Sequence, residues 1–365
     1  MLSASKLVFS RFSRAAMLCL ALWQPAVLQA ASALGMSTFM AGELPVTLSY
    51  PTSTAASRHS LGPFVIEVAM DAPPAAGRYP LVVLSHGTGG SPLADHELVR
   101  ALVSGGFVVA QPLHSGDNFE DGSRSGAESW RLRPGEVVRL LDALGQSDTW
   151  SAQLQLERVG VHGFSAGGVT ALSLAGGQWR MLELIRHCNS HPEDDAFCFS
   201  GAREPEQREM RQGRYRRAAS APEQFLPDEL KEWRGGRPVL PEDQDPRPDP
   251  RIAAVTLAVP AAAMFSAASL ARIRLPVGVV RASGDRLLLP QYHADRVLQH
   301  CSSCRLLADV DGQHSDLLGP LPAVAAKQIA RRFPQGGLPD PQFDSARRAQ
   351  AFAQIVAFYQ AQLQP

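Results

Sequence analysis

Gly163-Phe164-Ser165-Ala166-Gly167 is a G-x-S-x-G pentapeptide with an apolar strand pattern before it (Arg158 to His162) and an Ala-rich helical pattern after it (Ala166 to Ala175). A sharp strand-to-helix turn projects its serine above the sheet edge, and flanking glycines let the two chain segments pass closely. The amide of Ala166, at the helix start, then points toward negative charge developing on a bound acyl group. The chemistry this arrangement supports is attack of the Ser165 hydroxyl on a carbonyl carbon. Five residues alone also fit a structural turn whose serine caps a helix. Partners elsewhere in the chain decide between the two.

A serine hydroxyl is a weak nucleophile at neutral pH and needs a base in hydrogen-bond reach, itself oriented by a third group. When the serine lies in such an elbow, the expected chain order is Ser, then Asp or Glu, then His. Asp285, in Ser283-Gly284-Asp285, follows the apolar stretch Pro276 to Arg281, and His314, in Asp311-Gly312-Gln313-His314-Ser315, follows the last strand pattern. Asp309 and Asp311 compete as the acid but share the His314 loop, and His162, His114 and His300 fit the base less well by position. With an imidazole as base, activity is expected to fall below pH roughly 6 to 7.

A second donor for the oxyanion is expected from a loop after an earlier strand. Ser85-His86-Gly87-Thr88-Gly89-Gly90 follows the apolar run Leu81 to Leu84. Thr88 is the expected donor, paired with Ala166, and His86 is expected to buttress the loop through its ring nitrogens. The loop lacks the Lys-Ser/Thr ending of a P-loop and the G-x-G-x-x-G spacing of a dinucleotide site.

These loops need a sheet whose strand ends gather on one side. Leu44 to Tyr50 and Phe64 to Met70 read as an opening antiparallel pair. Strand and helix then alternate through Leu81 to Ser85, Leu93 to Ser104, Phe107 to Pro112, Pro134 to Leu144 (with Pro134 starting the helix), Arg158 to His162 and Ala166 to Ala175. Strands resume at Ala253 to Val259, Pro276 to Arg281 and Arg305 to Val310, with helices near Gln291 to Gln299 and Phe343 to Tyr359. Alternation of this kind predicts a mostly parallel sheet with helices on both faces. Between Gln178 and Pro250 the strand rhythm gives way to a polar, partly helical insertion that covers or borders the pocket. Its six arginines from Arg203 to Arg217 are interspersed with Glu204, Glu206 and Glu209, which predicts a solvated, salt-bridged helix face.

The chain has 365 residues, 45% of them hydrophobic and 19% charged, and its 35 basic residues balance 35 acidic ones. That balance argues against a polyanion-binding role. Lys6, Arg11 and Arg14 precede an apolar stretch from Ala15 to Trp23 and small residues near Ala30 to Ala33, the pattern of a secretory signal peptide. The expected organisation is a leader over residues 1–33 and one interrupted domain over 34–365, exported to the periplasm or medium without a membrane anchor. Beyond the leader stand four cysteines, Cys188, Cys198, Cys301 and Cys304, an even number that suits an oxidising compartment. Pairing within each close couple is the simplest arrangement, and it is favoured over a redox or zinc site at Cys301-x-x-Cys304.

Together, Leu44 to Pro51, Tyr79-Pro80 through Gly90, Gly105 to Asp117, Gly163 to Gly168, Asp249-Pro250-Arg251-Ile252 and the Asp285 and His314 loops resemble serine α/β-hydrolases of the dienelactone hydrolase-like and platelet-activating-factor acetylhydrolase-like group. The resemblance implies an α/β-hydrolase fold, Ser165 as nucleophile, His314 as base, Asp285 as orienting acid and the Thr88 and Ala166 amides as oxyanion hole. It implies hydrolysis of a small-molecule carboxylic ester with no cofactor or metal and no nucleic-acid partner. The chain departs from the pattern in having Phe164 where a histidine commonly precedes the serine, and in its Arg-rich insertion. Dienelactone hydrolases proper use a cysteine nucleophile, so the group name does not give the substrate. Amide or lactone hydrolysis, or acyl transfer, would use the same residues; a non-catalytic binding protein on this fold is the reading from another class.

Overall fold

An uninterrupted apolar run such as Pro80 to Leu84 can be buried on both sides only if both faces of its sheet are covered. In the computed structural model, which describes residues 33–364 apart from 201, 203, 221–247 and 335, this run is strand β5 at the centre of a ten-stranded sheet. The leader, save Ala33, and much of the Pro-rich end of the insertion lie outside the described residues.

The strands are β1 (Ala33–Ala41), β2 (Leu44–Thr52), β3 (Ser57–Leu61), β4 (Phe64–Met70), β5 (Tyr79–Ser85), β6 (Val108–Pro112), β7 (Leu154–Phe164), β8 (Ile252–Ala258), β9 (Val277–Ala282) and β10 (Cys304–Val310). The helices are α1 (His96–Ser104), α2 (Ala127–Gly145), α3 (Ala166–Leu174), α4 (Met181–Ser190), α5 (Asp195–Cys198), α6 (Pro205–Ser220), α7 (Ala267–Leu270), α8 (Ala294–His300), α9 (Ala323–Arg332) and α10 (Ser345–Leu363). The sheet order is β10-β9-β8-β7-β5-β6-β2-β1-β4-β3. From β10 to β6 all pairs are parallel, and β2 joins β6 antiparallel.

Strand alternation sorts the core into two layers. Leu81 and Val83 of β5 face a cluster that includes Val137 and Leu141 of α2 and Val169 and Leu172 of α3. Val82 and Leu84 face the opposite cluster, which includes Leu98 and Leu102 of α1 and Phe352 and Tyr359 of α10. The expected parallel sheet with helices on both faces is therefore observed.

Several boundaries differ from expectation. Leu44 to Tyr50 and Phe64 to Met70 are not partners: β1 lies between them, antiparallel to β2 and parallel to β4. Pro134 does not start α2 but sits inside it. The helix starts at Ala127, and its buried face, with Trp130, Leu140 and Leu141, offsets the backbone bond that Pro134 cannot make. The insertion supplies α4, α5 and α6, and a Cys188–Cys198 disulfide ties α4 to α5. Cys301–Cys304 forms the second disulfide, at the turn into β10. On α6, which is largely exposed, Arg208 pairs with Asp195 of α5 and Arg211 donates to the Ser200 carbonyl at 2.8 Å.

Candidate active site

Strand β7 ends at Phe164 and helix α3 begins at Ala166, so the whole change of direction falls on Ser165. Its φ of 53° and ψ of −116° lie in a region that side chains rarely occupy. Neighbouring backbone holds it there: the Ser165 amide donates to the Ala258 carbonyl at 3.0 Å, and its carbonyl accepts from Gly168 at 2.9 Å and Ala261 at 3.0 Å. Glycine is obligatory on both sides. A Cβ at Gly163 would lie 2.2 Å from the Gly167 carbonyl oxygen, and one at Gly167 would lie 1.9 Å from the Ser85 oxygen.

His314 opens a 3-10 turn (His314–Leu317) beyond β10, and Asp285 lies in the loop beyond β9. Parallel pairing of β9 with β10 brings the two loops together, and His314 Nδ1 is 2.7 Å from Asp285 Oδ2. The other carboxylate oxygen accepts the amides of Leu287 at 2.8 Å and Leu288 at 2.9 Å, which fixes the carboxylate plane. With Nδ1–H donating to Asp285, Nε2 is the ring's proton acceptor. The turn is pinned in its own right: Asp316 Oδ2 accepts the Gln313 amide at 2.6 Å, and Arg348 donates to the Asp316 carbonyl at 3.1 Å. The competing acids are engaged elsewhere, Asp309 by Arg281 and Asp311 by Arg347.

Ser165 and His314 line one cavity of about 1200 Å³, together with Thr88, Phe164 and Ala166. The Phe164 ring packs against the imidazole of His314, centroids 5.2 Å apart. Among the described residues the Ser165 hydroxyl makes no hydrogen bond to His314.

The Ser85 to Gly90 loop runs beside the elbow, and a Cβ on Gly87 would sit 3.3 Å from the Ser165 Cβ. His86 buttresses it: Nδ1 lies 2.7 Å from the Gly87 carbonyl oxygen, and Nε2 accepts the His114 amide at 3.3 Å. Burial, reinforced by Arg133, pushes the His86 pKa well below the usual imidazole value, so the ring is neutral and can accept at Nε2. The amides of Gly89 and Gly90 are engaged by Asp117 and the Gly87 carbonyl, whereas that of Thr88 has no hydrogen-bond partner among the described residues.

Several features escaped the sequence reading. Helix α9 walls the cavity through Ile329, and Phe333 follows it there; its Ala-rich run between Pro322 and Pro334 was the available signal. Asp95 contributes to the same wall, 2% exposed, with Oδ2 unpartnered and its pKa pushed by burial up to about 7. Beneath the loop lies a second serine, histidine and acid grouping. Ser85 Oγ is 2.8 Å from His114 Nε2, and His114 Nδ1 is 2.6 Å from Glu136 Oε2, all buried. Its members are scattered over β5, a loop and α2, with no motif to announce them. His187, Asp194 and Cys198 cluster at metal-ligand distances, but Cys198 is in a disulfide and offers no thiolate. Asp194 instead accepts from His187 at 2.8 Å and His293 at 3.0 Å, tying the insertion to the segment before α8.

No protein-family model matches the chain, and no curated protein matches it in sequence. Among solved structures it is similar to a ferulic acid esterase from Streptomyces cinnamoneus, with a TM-score of 0.57 and 18% identity over 93% of this chain and 92% of that one. The fold is that of an α/β hydrolase. The elbow after a central strand and the two loops beyond the late strands occupy the positions where that fold gathers its loops.

Proposed function

We propose that the protein is an exported serine hydrolase of carboxylic esters, with Ser165 as nucleophile, His314 as base and Asp285 as the acid that orients it. The observation that carries this reading is the Asp285–His314 contact of 2.7 Å beside a strained Ser165 in the same cavity. His314 Nε2 takes the Ser165 proton as the oxygen attacks the ester carbonyl. The Thr88 and Ala166 amides donate hydrogen bonds to the tetrahedral oxyanion, and Asp285 stabilises the imidazolium. Collapse expels the alcohol, which takes the proton from His314, and water releases the acyl group by the same steps in reverse order.

The ester preference is supported by the structural neighbour's name and by a cavity wall rich in carbon: Leu184, Phe197, Met210 and Tyr215 of the insertion face Leu287 and Leu288. Export is supported by the leader pattern and by two disulfides; among the described residues no helix is long and apolar enough to cross a membrane. The test is turnover of p-nitrophenyl esters of increasing acyl length by the mature protein. Hydrolysis that disappears in Ser165→Ala is the expected result. Turnover of none of the series, or equal turnover by the variant, would overturn the assignment.

A further inference from the structure

We infer that the buried Arg133–Asp117 ion pair is the device that aims the Thr88 amide, so that both are positioning residues for the oxyanion; this rests on the hydrolase reading above. The argument begins with peptide geometry. In a trans peptide the C=O of one residue and the N–H of the next point in opposite directions. Whatever holds the Gly87 carbonyl therefore sets the direction of the Thr88 amide. That carbonyl is held by His86 Nδ1 at 2.7 Å, by the Gly90 amide at 3.1 Å and by Arg133 Nη2 at 3.4 Å.

Arg133 also reaches one peptide further back, donating from Nη1 to the His86 carbonyl at 2.6 Å. Its partner works from the other side of Thr88, where Asp117 Oδ1 accepts the Gly89 amide at 2.9 Å. The two side chains meet at 2.8 Å through Arg133 Nη2 and Asp117 Oδ2, and Arg133 also donates to the Asp117 carbonyl at 3.1 Å. Ser125 and Ser129 hydroxyls at 2.8 and 2.7 Å complete the carboxylate's shell. One ion pair thus grips the peptides before and after Thr88 and leaves that amide directed at the cavity.

The side chains are 1% and 0% exposed, and a buried ion pair seldom stabilises a fold more than apolar residues of equal volume would. What it does provide is direction. The guanidinium has five donors in a rigid fork, enough to hold three carbonyls and a carboxylate at once, and an ammonium on a flexible stem cannot reproduce that. Arg133 and Asp117 touch no substrate on this account. They act by fixing a hydrogen-bond donor that matters more to the tetrahedral oxyanion than to the planar ester.

The experiment uses Arg133→Lys, Asp117→Asn and the milder Ser129→Ala in the mature protein, with active sites counted by burst titration. For each, kcat per titrated site, KM and the affinity for a trifluoromethyl ketone, a mimic of the tetrahedral state, are measured. Expected are falls in kcat per site of about 100-fold for the first two variants and about three- to tenfold for Ser129→Ala, with KM nearly constant and ketone affinity falling in step. The inference is overturned if kcat per site and ketone affinity keep their wild-type values while only the number of active sites or the melting temperature drops, or if KM alone carries the loss. Should Arg133→Lys and Asp117→Asn fail to fold, Ser129→Ala decides by the same split. Ser165→Ala, run alongside, separates failure of this inference from failure of the hydrolase reading: turnover retained by it would overturn that reading and this inference with it, whereas turnover lost in it beside unchanged kinetics in Arg133→Lys and Asp117→Asn would overturn this inference alone.

Discussion

Two serine, histidine and acid groupings stand close together in this molecule, and the better hydrogen-bonded one is the one that cannot be reached by substrate. Ser85, His114 and Glu136 form a closed chain of 2.8 and 2.6 Å contacts in the fully buried core. Ser165, His314 and Asp285 share a cavity of about 1200 Å³, with the serine strained at φ 53° and only the His–Asp contact closed. Ser85 ends strand β5 without a turn, while Ser165 is a turn. The difference teaches that residue types and mutual distances do not make a nucleophile. Access, a helix amide next to the hydroxyl and a second donor loop do, and in the described residues these gather only around Ser165. The buried trio is tied to the loop beside Ser165, because the His114 amide, not its ring, donates to His86.

The comparison breaks first, if it breaks, on activity. Ser165→Ala is expected to lower kcat/KM by on the order of 10⁴-fold or more, whereas Ser85→Ala leaves kcat per active site within about tenfold, both read by steady-state ester hydrolysis. The two acids separate next. Asp285→Asn is expected to cost about 10⁴-fold in kcat through loss of the orienting carboxylate, and Glu136→Gln to show its effect in unfolding rather than in turnover.

Stability should reverse the ranking. Ser85→Ala leaves His114 Nε2 unpartnered in the core and is expected to lower the unfolding free energy by roughly 1–3 kcal/mol in a denaturant titration. Ser165→Gly relieves the backbone strain and is expected to raise it by about 1 kcal/mol. The smallest effect concerns pH. Burial holds the His114 pKa below the usual imidazole value, so the unfolded chain binds that proton first as pH falls. Stability from the neutral ring is complete above pH about 6.5 and is lost as pH drops toward the depressed folded value. His114→Gln should flatten the stability profile over that window, and an unchanged slope would mean that the ring is not held neutral.

What the sequence showed tracks how local each feature is. The elbow is legible because strand, turn glycines and helix are contiguous, and the Asp285 and His314 loops are legible because each follows an apolar strand. Strand β1 was missed because Ala33 to Ala41 begins among the small residues that resemble a cleavage site, and without it Leu44 to Tyr50 and Phe64 to Met70 look like neighbours. Pro134 misled because a proline reads as a helix start when the tertiary burial around Trp130 is not visible. Arg133, Asp117 and Glu136 carry no motif: the first two take their meaning from contacts with the loop at His86 to Gly89, up to 47 positions away in sequence, and Glu136 from its contact with His114, 22 positions away. Long-range polar contacts of this kind are set by how strands stack, which periodicity does not record.

The central claim is that one serine of the two is the nucleophile. Mature protein treated with a fluorophosphonate and mapped by peptide mass spectrometry tests it directly. The account predicts a single adduct on Ser165, absent from Ser165→Ala and retained by Ser85→Ala. An adduct on Ser85, or undiminished labelling of Ser165→Ala, would contradict it.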